Sequence, residues 1–181
     1  MSINSEVNKK IEELSAKIAI NPNNENLRRE LAVNYMNIGR YNDSLTEFQK
    51  AAQINPMTSD TLHKIGIIFD RSGKYKEAIE YYLKVIEISP ENADVFMDLG
   101  LLYDQIQDYD NAISSFKKVI ELVPNDIEAH FHLGLVYDSI EDGENAIIQT
   151  KIAKLLAKSK NHLQWEASAK KSLHILCKRY N

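Results

Sequence analysis

The sequence predicts an all-α fold, a solenoid of helix-turn-helix repeats, and three observations predict it. The four prolines of the chain, Pro22, Pro56, Pro90 and Pro124, each follow the last by 34 residues. The glycines keep the same register, with Gly66, Gly100 and Gly134 in one column and Gly39 and Gly73 in a second. Between these marks apolar residues recur at steps of 3 and 4, the period of an amphipathic helix.

Placing each proline at position 32 gives four repeats, 25–58, 59–92, 93–126 and 127–160. Position 7 is then Leu31, Ile65, Leu99 and Leu133, position 8 is Ala32, Gly66, Gly100 and Gly134, and position 11 is Tyr35, Phe69, Tyr103 and Tyr137. Position 20 is Ser44, Ala78, Ala112 and Ala146, position 24 is Phe48, Tyr82, Phe116 and Thr150, and position 27 is Ala51, Val85, Val119 and Ala153. The first helix of each repeat is expected over positions 2 to 14 and the second over 17 to 30. Gly39 and Gly73 end their first helices and each proline follows a second helix as a stop. Glycine inside a helix costs ~1 kcal/mol relative to alanine, so the position 8 column needs a gain elsewhere. Close approach of the paired helices supplies it, with rings at positions 11 and 24 filling the space beside small residues.

These columns of Leu-Gly, Tyr, Ala, Phe and Pro resemble the tetratricopeptide repeat family, with no Trp at position 4, where Arg28, Leu62, Phe96 and His130 stand. The resemblance implies a right-handed superhelical solenoid. It is fullest over 25–126 and weakens in the fourth repeat, where Gly143, Thr150 and Lys158 replace Tyr or Phe, Phe and Pro. Val7, Ile11, Leu14 and Ile18 predict a half-repeat helix over 5–20, and Leu163, Ala167, Leu173, Leu176 and Cys177 a capping helix within 161–181. The whole of 1–181 is read as one repeat domain.

The chain has 181 residues, 44% hydrophobic and 27% charged, the balance of a folded protein. One cysteine, Cys177, excludes an intramolecular disulfide, and no basic, apolar leader follows Met1 and Ser2, so a soluble protein of a reducing compartment, cytoplasm or plastid stroma, is expected. Charge is uneven: residues 1–144 carry 14 Lys+Arg against 25 Asp+Glu, and 145–181 carry 8 against 1. Phosphate loops, zinc spacings and nucleophile motifs are absent, so no enzyme, no cofactor and no metal is expected. His130 and His132 lie about 200° apart around a helix and cannot chelate one ion together.

In the family, ligands lie on the concave face lined by the first helices, which implies a partner-binding groove at positions 2, 5, 9, 12 and 13. Position 9 is Val33, Ile67, Leu101 and Leu135, and position 12 is Met36, Asp70, Asp104 and Asp138. Position 5 is Arg29, His63, Met97 and Phe131, and position 2 adds Asp60, Asp94 and Glu128. Positions 5, 9 and 12 share one helix face, giving an apolar stripe edged by carboxylates. That groove suits a protein or peptide segment with apolar and basic residues. A chaperone-tail clamp is argued against, since Asp94 and Asp98 stand where it needs bases.

The expected role is a protein-interaction scaffold: adaptor, co-chaperone-like or assembly factor. A second reading is a photosystem or membrane-complex assembly factor of plastid or cyanobacterial type, which small free-standing repeat proteins of this kind resemble. A third places function on the basic C-terminal surface of Lys151, Lys154, Lys158, Lys170 and Lys171, by self-association or by binding an anionic lipid or nucleic-acid surface.

Overall fold

The computed structural model describes residues 3–55 and 58–180, with the side chains from residue 5 onward. Met1, Ser2, Met57, Asn181 and Pro56 of the proline column lie outside the described residues. Among the described residues there are ten helices and no strand. They fall into two compact units, Met1–Pro90 and Glu91–Asn181.

The first unit contains α1 (Ile3–Ile20), α2 (Glu25–Asn37), α3 (Tyr41–Ile54), α4 (Ser59–Arg71) and α5 (Tyr75–Ile88). The second contains α6 (Ala93–Gln105), α7 (Tyr109–Leu122), α8 (Ile127–Ser139), α9 (Gly143–Ser159) and α10 (Leu163–Tyr180). First helices cover positions 1 to 13, one residue earlier than periodicity alone indicates. The reason is a capping column at position 34. Asn24, Thr58, Asn92 and Asp126 each accept a hydrogen bond from the backbone N–H three residues on, at 3.1, 3.3, 3.3 and 2.7 Å.

One turn recurs between paired helices. The N–H of Arg40, Lys74, Asp108 and Asp142 donates to the carbonyl five residues back at 2.8–2.9 Å. The residue before each donor has positive φ: Gly39 at 76°, Gly73 at 72°, and Gln107 and Glu141 both at 62°. The α9–α10 connection has the same form, with His162 donating to Ala157 at 2.8 Å and Asn161 at φ 53°. Without a proline stop at position 32, α9 runs on to Ser159 and α10 folds back on it by the turn used inside a repeat.

In the first unit, Ile11, Leu14 and Ile18 of α1 bury against Leu31 of α2, and Ala32, Phe48, Ile65 and Ile68 form the next layer. In the second unit, Phe116, Leu133, Val136, Tyr137 and Leu176 form one layer, and Ile127, Ala153, Ala157 and Ala169 another. The glycine column has the predicted cause: a methyl at Gly66 would meet the Tyr82 ring at 2.5 Å, and one at Gly100 the Phe116 ring at 2.6 Å.

Gly143 has a different cause, which the sequence did not suggest. It is buried at the start of α9, where the other repeats carry Tyr41, Tyr75 and Tyr109. A Cβ there would stand 2.3 Å from Cγ of Tyr180. The ring missing from position 17 is therefore supplied by the end of α10.

Candidate functional site: the first-helix faces and the basic C-terminal helices

In the first unit the face of α2 and α4 is half-buried. Val33 and Met36 pack on the Ala32, Phe48, Ile65 and Ile68 layer, so part of the apolar row serves contact between neighbouring first helices. Ile67 and Asp70 are half-buried on α4. Arg29 pairs with Glu25 at 2.6 Å and donates to Thr58 Oγ1 at 3.2 Å, Asp60 is exposed and paired with Lys64, and His63 sits edge-on to Tyr82 at 5.7 Å.

In the second unit the face is formed by α6 and α8. Met97 and Leu101 pack on the Phe116 and Leu133 layer, while Leu135 is half-buried and Asp94 is exposed. Phe131 joins an aromatic group that periodicity alone did not reveal. His132 stacks on Phe116 at 5.8 Å, meets Phe131 edge-on at 5.7 Å, and lies 6.1 Å from Trp165, which also meets Phe131 at 5.3 Å. Trp165, the chain's one tryptophan, comes from α10. Its signal in the sequence is position 5 counted on from Phe131, 34 residues away.

Burial sets the electrostatics of this face. It pushes the Asp104 carboxyl above its ordinary value, opposed by the field of His132. Glu128 is raised by burial and then by the charges of Asp126 and Asp98. Burial lowers the His132 imidazole, against the fields of Asp104 and Asp126, so at neutral pH it is an uncharged ring whose Nε2 lies 3.9 Å from Glu128. His130 is buried, with its ring nitrogens 2.7 Å from Gln149 Oε1 and 3.1 Å from the Pro124 carbonyl.

The end of the acidic row is engaged within the chain. Asp138 Oδ1 accepts from Arg179 Nη1 at 2.6 Å and from the Tyr180 hydroxyl at 2.8 Å. Asp138 thus holds the last turn of α10 over Gly143. The basic residues lie elsewhere: Lys151, Lys158, Lys170 and Lys171 are exposed and Lys154 is half-buried. Among the described residues, no group of three or more His, Cys, Asp or Glu could hold a metal ion. No helix among them is long and apolar enough to cross a membrane.

The sequence matches the family model described as TPR repeat over residues 68–107 and 105–139. Over those residues the chain is built of tetratricopeptide repeats. Its fold is that of MamA, at TM-score 0.79 and 24% identity over 90% of this chain and 98% of that one. A MamA chain from Desulfovibrio magneticus RS-1 gives TM-score 0.79 at 22% identity, covering 84% and 86%. YrrB, described as a TPR protein with an unusual peptide-binding site, gives 0.73 at 17% identity over 92% and 84%. At these identities the likeness is one of fold. No curated protein matches the sequence. The repeats make this chain a scaffold of the protein-interaction class, whose members bind protein or peptide partners and are in general not enzymes.

Proposed function

We propose that the first-helix face of the second unit binds a peptide segment that presents apolar and basic side chains together. The observation that carries this reading is the pairing of a half-buried apolar row, Met97, Leu101, Phe131 and Leu135, with two carboxylates, Asp104 and Glu128, that burial holds above their ordinary pKa. Partly desolvated carboxylates lower stability on their own, and a partner's Lys or Arg offsets that cost. The peptide-binding character of YrrB, a protein of the same fold, agrees with it. Asp138 is left out of the ligand set because Arg179 and Tyr180 hold it.

Trp165 lies against Phe131 and reports on this face without a label. Amphipathic synthetic peptides pairing Leu with Lys or Arg at helical spacing should shift its emission, and the same peptides with Gln for the bases should not. Asp104→Asn with Glu128→Gln should weaken the basic peptides about tenfold, roughly 0.7 kcal/mol for each half-exposed charge. Equal affinity for both peptide sets, or for both forms of the protein, would falsify this reading.

A further inference from the structure

We propose that a second copy of this chain docks by its helix α5 on the outward stripe of helix α9. On α9, Ile148, Lys151, Leu155 and Lys158 follow at steps of 3, 4 and 3 residues and so share one face. All four are exposed, Leu155 at 66% and Ile148 at 42%, while Ala146, Thr150, Ala153 and Ala157 bury the opposite face. On α5, Glu80, Leu83 and Glu87 follow at steps of 3 and 4, all exposed, with Leu83 at 45%, above a buried face of Ala78, Tyr82 and Val85.

A single exposed leucine means nothing by itself. Here each sits between two like charges, and the two stripes carry opposite signs. Laid antiparallel, the stripes match in one register: Glu80 meets Lys158, Leu83 meets Leu155, and Glu87 meets Lys151. Both triplets span about 10 Å of helix axis, so the three contacts form together. The leucine pair leaves water, while the ion pairs close around it and fix the register. Pairing α5 with α5, or α9 with α9, would oppose like charges, so the contact is heterologous. A pair joined by one such contact leaves one stripe of each kind for a further contact, so larger assemblies follow unless the pair closes on itself. The contact is small, so association should be weak, concentration-dependent and sensitive to salt. It uses neither first-helix face, and it stands or falls apart from the peptide reading.

Sedimentation velocity of the intact protein tests this without a ligand. At low salt the weight-average mass should rise with concentration above the 20.7 kDa of one chain, and return to it as salt is added. Lys151→Glu with Lys158→Glu should remain monomeric, and so should Glu80→Lys with Glu87→Lys, each with unchanged helical circular dichroism. An equimolar mixture of the two variants should associate again, because the unaltered α5 of the first meets the unaltered α9 of the second, and the two reversed stripes match as well. The idea is overturned by a wild type that stays monomeric at every concentration, by a variant that associates like the wild type, or by a mixture that remains monomeric. It is equally overturned if phosphatidylserine vesicles bind the wild type but not Lys151→Glu with Lys158→Glu while the protein alone is monomeric, which assigns the stripe to an anionic lipid surface.

Discussion

Replacing Gly100 by alanine tests whether the glycine column exists to let a ring approach. The added methyl carbon would stand 2.6, 2.8 and 2.9 Å from Cε1, Cδ1 and Cζ of Phe116. Carbon pairs settle at about 3.5–4.0 Å, so α6 and the ring must part by about 1 Å. Overpacking of this kind costs roughly 1–3 kcal/mol, while alanine in place of glycine in a helix returns about 1 kcal/mol. The expected net effect is a destabilisation of about 1 kcal/mol, or a melting point lower by roughly 4–8 °C for a unit of this size. Urea unfolding followed by circular dichroism should show a lower midpoint with unchanged slope. With Phe116→Leu as background, the same Gly100→Ala should become neutral or stabilising, since the obstructing ring is gone. Gly100→Ala that stabilises the wild-type background by its helix propensity would refute the argument. The first repeat carries Ala32 with Phe48, both fully buried, so there the pair is built around the methyl.

The remaining predictions concern the turns and the buried imidazole. Gln107→Gly and Glu141→Gly should each stabilise by about 0.5–1 kcal/mol in urea unfolding, because both residues hold positive φ at the turn position where Gly39 and Gly73 stand. The reverse change, Gly73→Gln, should destabilise by a similar amount; a neutral result for all three would remove strain from the account of these turns. The pH dependence of stability should carry a contribution from His132. In the unfolded chain its imidazole takes up a proton near 6.5, and in the folded chain only at lower pH. Unfolding therefore binds a proton in that window, so stability falls as pH drops below 6.5. Asp104 and Glu128 act with the opposite sign, in windows that open above 3.8 and 4.5. His132→Gln should flatten the loss between pH 7.5 and 5.5 while leaving the acid-side behaviour of the carboxyls. Equal slopes for His132→Gln and the wild type would exclude the assignment.

Much of the fold was legible because each repeat solves the same packing problem, so the same residue types return every 34 positions. Gly66 and Gly100 were readable as close-approach positions before their ring partners could be measured, since glycine within a helix needs a compensating contact. The second helices α3, α5 and α7 fell where periodicity put them while α9 ran three residues further, and first helices shifted by one residue, because periodicity marks the buried face while the cap at Asn24, Thr58, Asn92 or Asp126 marks the end.

The candidate site was legible only in part. The row of Val33, Ile67, Leu101 and Leu135 and its acidic edge follow from helical spacing, which decides which side chains share a face. Spacing says nothing about partners far along the chain. Trp165 against Phe131, His132 stacked on Phe116, and Tyr180 over Gly143 each join residues more than 15 positions apart.

The sequence by itself determined the repeat, its helices and the charges each helix displays, since these depend on local periodicity and composition. Only the tertiary structure decided what those charges meet. It gave Asp138 to Arg179 and Tyr180, and left Asp104 and Glu128 partly desolvated beside an apolar row. The physical reason is that a carboxylate's role depends on the water and cations around it in space, and for Asp138 the return of α10 onto the last repeat sets both.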